Sequence, residues 1–214
     1  MYYKLTFNSD LIDESIKDGT YPIYAEVSNL KEIEYRGIKQ GWFDNIFFES
    51  NGLEINDWPT VDFYYSSKVS TLENEYLSNV NDWLIVHKKV KQEFEKNKIR
   101  GIQYLPVRVV DVITHNVNHN YYAINTLNWI DCIDMEASEW EYDEDIAEYL
   151  FEPKGIVLDE QKCKGYDIFR CQKDTICIYV SEKIKSIIEK NNWQWFSLSE
   201  MPITHKIKEI ERER

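Results

Sequence analysis

The sequence predicts an α+β protein with mostly antiparallel sheets, a duplicated strand–helix–strand unit and a few packing helices. Two observations predict this class. Short β-branched and aromatic runs of strand type recur along the chain. In addition, residues 86–97 and 180–191 share six identical positions at a constant offset of 94. Two copies are too few for a solenoid, so the repeat indicates one supersecondary unit used twice.

Each copy, at about 84–105 and 176–198, has the same pattern. A short apolar run of strand type comes first, and a second strand comes last. Between them, apolar residues at helical spacing form one stripe, while lysines and glutamates take the other face. The stripe consists of Val90 and Phe94 in the first copy and of Ile184, Ile187 and Ile188 in the second.

The ends of the two helices differ between the copies. Ser181 is expected to cap the second helix, because a serine side chain can accept from the free N–H groups of the next turn. His87 stands at the equivalent position and is expected to cap less well. Gly101 is the expected turn into the last strand of the first copy. Trp195 replaces it in the second, so a positive φ is not expected there.

Composition limits the function classes. The 214 residues, 43% apolar and 14% aromatic, suffice for one α+β domain over 1–214, with room for two lobes at about 1–105 and 106–214. A net charge of −13 argues against nucleic acid and anionic membranes and is compatible with a basic partner or with simple solubility. No apolar run could span a membrane, and no signal peptide is recognisable, which predicts a cytoplasmic protein. The four cysteines form no C-x-x-C pair and are expected to be reduced, partly buried thiols.

The remaining elements of the first half follow from local patterns. Pro22 marks its strand as an edge, and five apolar residues on one face predict the helix after Ser67. The expected elements are a strand at 2–7, a helical turn at Leu11, Ile12 and Ile16, an edge strand at 21–27, aromatic packing by Trp42, Phe43, Phe47 and Phe48, a strand at 61–65, and a helix from Ser67 to Val80 with Val69, Leu72, Tyr76, Leu77 and Val80 on its face.

The second half alternates strands with polar segments. A hairpin is predicted from strands at 105–113 and 121–127, joined by the loop 114–120. A short helix from Glu144 to Phe151, capped by Asp143, is expected to bury Ile146, Leu150 and Phe151. Strands at 155–158 and 166–170 and a helix from Pro202 to Arg214 complete the prediction.

The strongest charge asymmetry lies between Val109 and Pro153, which contains no lysine or arginine. Aromatic anchors interleaved with carboxylates in this segment predict a partner-binding surface, and a solvated loop and helix face is the alternative. The candidate contact residues are Glu139, Trp140, Glu141, Tyr142, Asp143, Glu144, Asp145 and Glu148.

Other chemistry has weaker support. His115 and His119 are four residues apart, but their asparagine-rich surroundings favour a loop over a metal site. Cys163, Cys171 and Cys177 match no common zinc spacing. The acidic run contains carboxylate pairs of the glycosidase kind, yet nothing singles two out. No glycine pattern cradles a phosphate. We therefore expect no catalytic residue, cofactor or metal.

From about Trp58 to Leu198 the chain resembles a family of bacterial immunity proteins from polymorphic toxin systems, first catalogued as a domain of unknown function. Several short motifs in order carry the resemblance. They are Val61-Asp62-Phe63, the helix from Lys89 to Lys96, Gly101-Ile102-Gln103-Tyr104-Leu105-Pro106-Val107, Tyr121-Tyr122-Ala123-Ile124-Asn125, Ile130-Asp131-Cys132-Ile133-Asp134 with Ser138, Asp167-Ile168-Phe169-Arg170 and Val180-Ser181-Glu182-Lys183-Ile184-Lys185. The chain departs from the family pattern at His87 and Trp195.

The resemblance implies a cytoplasmic protein, encoded beside a toxin, that binds the toxin's C-terminal domain and blocks it without covalent chemistry. A basic toxin, such as a nuclease, would complement the acidic segment. Two alternatives remain open. One is a small hydrolase in which an acid such as Glu139 or Glu148 works from a pocket. The other is a scaffolding protein built on the duplicated unit.

Overall fold

The computed structural model describes residues 1–11, 24–25, 46–68, 74–79, 81–145, 147–152 and 155–204. The strands are β1 (Tyr2–Phe7), β2 (Tyr24–Ala25), β3 (Asp62–Tyr65), β4 (Tyr76–Asn79), β5 (Ile85–His87), β6 (Ile102–Asp111), β7 (Val117–Thr126), β8 (Trp129–Ile130), β9 (Trp140–Asp143), β10 (Glu148–Phe151), β11 (Ile168–Cys171), β12 (Asp174–Ser181) and β13 (Phe196–Glu200). The helices are α1 (Ile46–Glu49), α2 (Lys88–Lys96), α3 (Glu160–Cys163) and α4 (Glu182–Lys190). None of the helices in these ranges is long and apolar enough to cross a membrane.

The strands form two large sheets and one separate hairpin. The first sheet has the order β2-β4-β5-β7-β6-β3 and the second has the order β13-β1-β12-β11-β8, while β9 pairs with β10 alone. Most neighbours are antiparallel; the pairs β2·β4, β3·β6 and β8·β11 are parallel. The predicted α+β class is confirmed.

The duplicated unit is also confirmed. The first residues of α2 and α4 are 94 positions apart, and so are their last residues. Strands β6 and β13 also begin 94 positions apart. Both helices are followed by a residue with positive φ, Lys98 at 56° and Asn192 at 52°, which stand at the same offset. Asn97 and Asn191 each donate a side-chain hydrogen bond to the carbonyl four residues earlier, at 2.7 and 2.8 Å.

Each copy also contains a middle strand that the offset of 94 did not reveal. Strand β7 lies between β5 and β6, and β1 lies between β12 and β13, antiparallel to both neighbours in each case. Val86 pairs with Tyr122, and its counterpart Val180 pairs with Tyr3. The strand that follows β6 in the first copy is therefore supplied in the second copy by the N-terminal strand.

The correspondence continues to the sheet edges. Tyr76 of β4 pairs with Val86, and Ile168 of β11 pairs with Val180. Beyond them, β2 runs parallel to β4 as β8 runs parallel to β11. At the other edge, the parallel pair Phe63–Val109 is matched by the parallel bridge Leu158–Ile203. The described parts of the two large sheets are thus two copies of one sheet-and-helix unit.

The two copies share one core, because their helices pack against each other. One buried cluster combines Val90 and Phe94 of α2 with the three isoleucines of α4 and with residues of both sheets. The Phe94 and Trp193 rings lie 6.3 Å apart across this contact. Fully burying one such apolar side chain contributes about 1.5–3 kcal/mol. Each sheet has a further cluster of its own, one around Phe63 and Trp83 and one around Phe169 and Tyr179.

The predicted helix from Ser67 to Val80 is wrong where the structure describes it, because 76–79 form strand β4. Tyr76 belongs to the core shared by the helices, whereas Leu77 belongs to the core around Phe63 and Trp83. Neighbouring residues that face opposite sides require a strand rather than one helical face. Residues 69–73 and 80 lie outside the described residues.

Other local predictions need smaller corrections. The strand predicted at 155–158 is reduced to isolated bridges of Leu158 with Ile133 and Ile203. The strand predicted at 21–27 is described only as β2, at the edge of its sheet. Phe47 is buried as expected, while Trp42 and Phe43, the side chain of Phe48, the helical turn at 12–16 and the tail at 205–214 lie outside the described residues.

The helix caps are reversed from the prediction. The His87 ring accepts a hydrogen bond from the Lys89 N–H at 3.2 Å, while Ser181 provides no side-chain cap to α4. The Ser181 hydroxyl instead donates to the Asp167 carboxylate at 3.0 Å. Gly101 has φ +81°, which confirms the predicted turn.

Two of the four cysteines are not thiols. Cys132 and Cys171 form a disulfide, so the prediction of four reduced cysteines is wrong. The bond joins Cys171, the last residue of β11, to Cys132, two residues after β8. Strands β8 and β11 are neighbours in the second sheet although the two cysteines are 39 residues apart in sequence. Cys163 and Cys177 remain free, and burial raises the pKa of the Cys163 thiol to about 12.

Candidate functional site

The candidate contact residues lie in and beside a separate two-stranded hairpin, which we call the acidic hairpin (residues 140–151). Strands β9 and β10 pair antiparallel, with Trp140 opposite Phe151 and Tyr142 opposite Tyr149. The predicted helix from Glu144 to Phe151 is therefore wrong. Leu150, expected to be buried, is 45% exposed, whereas Phe151 is partly buried against the core of the second sheet. Ile146 lies outside the described residues.

The two faces of the acidic hairpin differ in chemistry, because side chains alternate along a strand. We call one the ring face: it consists of Trp140, Tyr142, Tyr149 and Phe151. We call the other the carboxylate face: it consists of Glu141, Asp143, Glu148 and the apolar Leu150. Glu144 and Asp145 are exposed in the turn, and exposed Glu139 precedes β9. All eight predicted contact residues thus lie on or next to one small structure.

The rings of the ring face form a continuous ladder. The Tyr149 ring lies 5.3 Å from the Trp140 ring and 5.0 Å from the Tyr142 ring, at interplanar angles of 72° and 60°. Phe151 continues the row at 6.4 Å from Tyr149. The Trp140 indole N–H also donates to the Met135 carbonyl at 2.9 Å. Ring contacts of this geometry contribute about 0.5–1.5 kcal/mol each, so they order the hairpin.

Backbone bonds and the disulfide fix the root of the acidic hairpin. Glu139 N–H donates to the Gly155 carbonyl at 2.9 Å, and Glu152 N–H donates to the Glu139 carbonyl at 3.3 Å. The Cys132–Cys171 disulfide closes a chain loop that contains the acidic hairpin and ties the start of that loop to β11. The hairpin is thereby tied to the second sheet without being a strand of it.

The sequence prediction missed two members of the ring face. Tyr149 and Phe151 were assigned to a helix because Ile146, Leu150 and Phe151 have helical spacing. The signal that could have placed them is the period of two in Trp140, Tyr142, Tyr149 and Phe151, on either side of the acidic turn 143–145.

A second exposed apolar surface lies at the tip of the β6–β7 hairpin, where Val112, Ile113 and Val117 are 41–45% exposed. Buried Asp111 holds this tip. Its carboxylate accepts from the Ser67, Ile113 and Thr114 N–H groups and from the Thr114 hydroxyl. Burial alone raises the pKa of Asp111, but these bonds outweigh it and hold that pKa far below its ordinary value of 3.8.

The cleft described in the structure lies apart from the candidate contact residues. A cleft of about 450 Å³ is lined by Tyr2, Glu160, Asp167 and Glu182, among others, and by none of the predicted contact residues. The Asp167 carboxylate in this cleft already accepts hydrogen bonds from the Ser181 hydroxyl and the Lys183 ammonium group. Within the described ranges, no group of three or more His, Cys, Asp or Glu side chains is placed to hold a metal ion.

One comparison with known proteins identifies a family for this chain. No curated protein matches the chain. A family model described as "Immunity protein family (Imm11)" matches residues 9–202, which include helices α2 and α4 and the whole acidic hairpin but not β1. Because the match covers most of the 214 residues, the chain belongs to the Imm11 family of immunity proteins.

Proposed function

We propose that this protein neutralises a cognate toxin domain in the cytoplasm by non-covalent occlusion and that the acidic hairpin is its main contact element. Membership of the immunity protein family is the observation that carries the first half. The exposed, two-faced hairpin supports the second. The protein works by covering a surface of the toxin and performs no turnover.

The acidic hairpin has the composition of an interface centre. Tryptophan and tyrosine are enriched among the residues that dominate binding energy, and Trp140 and Tyr142 are each 44% exposed. The surrounding carboxylates would increase the association rate with a basic partner and disfavour acidic ones. A nuclease is the toxin class that fits best, because an enzyme acting on phosphates must itself present positive charge.

Growth rescue tests the proposed function directly. The toxic C-terminal domain encoded beside this protein is expressed in bacteria with and without this chain. We expect the toxin alone to stop growth and co-expression of the wild-type chain to restore it. Failure of the wild-type chain to restore growth, although it is present and folded, would contradict the proposed function.

Salt dependence tests the role of the carboxylates. Between about 50 and 500 mM salt, the association rate with the toxin domain should fall by about tenfold or more, as in electrostatically steered pairs. The E141Q/E148Q variant should associate more slowly at low salt and depend less on salt. A wild-type rate that is equal at both salt concentrations would exclude steering by this surface.

A further inference from the structure

The exposed rings of the described chain are gathered in one place. Trp140 and Tyr142 lie side by side on the ring face, and each is 44% exposed. Every other Trp, Tyr or Phe side chain that the structure describes is more buried. Exposed aromatic surface of this kind marks a contact site rather than a random surface position.

The two rings are ordered before any partner arrives. The indole of Trp140 is held by its bond to the Met135 carbonyl, and both rings lean on the half-buried Tyr149. Ordered side chains lose little conformational freedom on binding, so more of the contact energy appears as affinity. The ring face is therefore a preorganised surface.

The charge around the rings selects a cation. An aromatic face is the negative part of its quadrupole, and nearby carboxylates strengthen that field. Elsewhere the chain supplies its own cations, with Lys91 at 4.3 Å from the Tyr122 ring centre and Lys185 at 4.7 Å from that of Tyr3. Over the Trp140 and Tyr142 rings, none of the described lysines or arginines takes this position.

Arginine fits this surface better than lysine. The guanidinium group is planar and weakly hydrated and stacks on aromatic faces, whereas the ammonium group of lysine is strongly hydrated. Glu141 and Glu148 lie on the opposite face of the hairpin, so a cation over the rings would stack rather than form an ion pair with them. Stacking favours the flat cation.

We propose that the ring face of the acidic hairpin is an arginine-binding surface and that the partner presents guanidinium groups to Trp140 and Tyr142. The carboxylate face then supplies attraction at long range, and the ring face supplies the selective contact. This inference rests on the proposed function only in taking that partner to be the toxin domain.

Two peptide probes of equal charge test the surface without the toxin. Octa-arginine and octa-lysine, each fluorescently labelled, are titrated with the full chain at matched ionic strength, and binding is followed by anisotropy. Two stacked guanidinium groups predict an affinity for octa-arginine roughly fivefold higher than for octa-lysine. Equal affinities of the wild-type chain for both peptides would overturn the proposal.

Matched variants locate the preference. Because both rings are exposed, W140A/Y142A should fold, as checked by thermal unfolding. It should lose the preference for octa-arginine while its affinity for octa-lysine changes by less than about twofold. Y142F keeps the ring and should keep the preference. The E141Q/E148Q variant should lower the affinities for octa-arginine and octa-lysine by the same factor. An arginine preference that survives in W140A/Y142A would also overturn the proposal.

The toxin assay separates the two proposals. If W140A/Y142A neutralises the neighbouring toxin domain as well as the wild type does, the ring face is not the contact, although the protein is still an immunity protein. If the wild-type chain fails to neutralise the toxin while the peptide preference holds, the proposed function fails and the arginine-binding surface stands.

Discussion

The ammonium group of Lys185 lies 4.7 Å from the centre of the Tyr3 ring and 3.2 Å from the Tyr3 hydroxyl. The contact joins α4 to the middle strand of the second sheet. The same contact occurs in the first sheet, where Lys91 of α2 covers Tyr122 of β7. A lysine over the tyrosine of the middle strand is thus a repeated feature of the unit.

Removing this lysine should destabilise the protein. Lys185→Met keeps the length of the side chain but removes its charge, and we expect a loss of about 1 kcal/mol in the free energy of unfolding. The exposed Lys164 offers a matched control, since Lys164→Met makes the same chemical change outside such a contact. Urea denaturation measures both; equal effects of the two substitutions would show that the ring contact contributes nothing.

The disulfide should contribute more than any single side-chain contact. For a 39-residue separation, chain entropy predicts about 4 kcal/mol. We expect a lower urea midpoint for the C132A/C171A variant, and the same shift for the wild type after reduction. Thiol titration in denaturant should find two reactive groups before reduction and four after it. Four groups before reduction would show that the bond does not form.

Acid should loosen the β6–β7 tip. Because the folded pKa of Asp111 is depressed, its contribution to stability is complete above the unfolded pKa of about 3.8 and is lost as the pH falls towards the lower folded pKa. The difference in urea midpoint between wild type and D111N should therefore be constant at pH 5–7 and shrink below about pH 4. A difference that does not change with pH would contradict this assignment.

Alanine substitutions at two glycines should distinguish the cost of a left-handed backbone conformation from the cost of steric crowding. Gly165 has φ +94° and nothing near its missing Cβ, so G165A should cost about 1 kcal/mol from the left-handed conformation alone. Gly101 has φ +81°, and its Cβ would collide with the Asn128 side chain. That amide donates to the Ile168 carbonyl at 2.9 Å and resists displacement. G101A should therefore cost at least about 1 kcal/mol more than G165A in urea denaturation.

The parts of the fold that could be read from the sequence are those in which local pattern and tertiary packing agree. The α2 and α4 stripes follow helical spacing, and six identities at one offset exposed the repeat. The sequence comparison did not reveal the middle strand of each copy, because Tyr2-Tyr3 and Tyr121-Tyr122 are 119 residues apart rather than 94. A changed strand order leaves no trace in a search at one fixed offset.

Long-range pairing explains the other errors. Cys132 and Cys171 meet only because β8 lies parallel to β11, a neighbour relationship without a local signal. The charge pattern singled out a segment that folds as one hairpin, since charge does not depend on secondary structure; whether that hairpin binds a partner stays a prediction. The ring face could not be predicted from a helix at 144–151, because a helical period groups Leu150 with Ile146 on one apolar face. In the observed strand the period is two, and Tyr149 instead shares a face with Tyr142.

The borrowed strand has a kinetic consequence during synthesis. Tyr3 leaves the ribosome 177 residues before its partner Val180, the difference between the two positions. At ordinary elongation rates of 5–20 residues per second, that gap lasts about 9–35 s. The first sheet can assemble while the chain is still growing, whereas β1 must stay unpaired until its partners β12 and β13 have been made. Throughout that interval the nascent chain therefore carries an unpaired strand edge, which is a site where chains can aggregate until β12 is available.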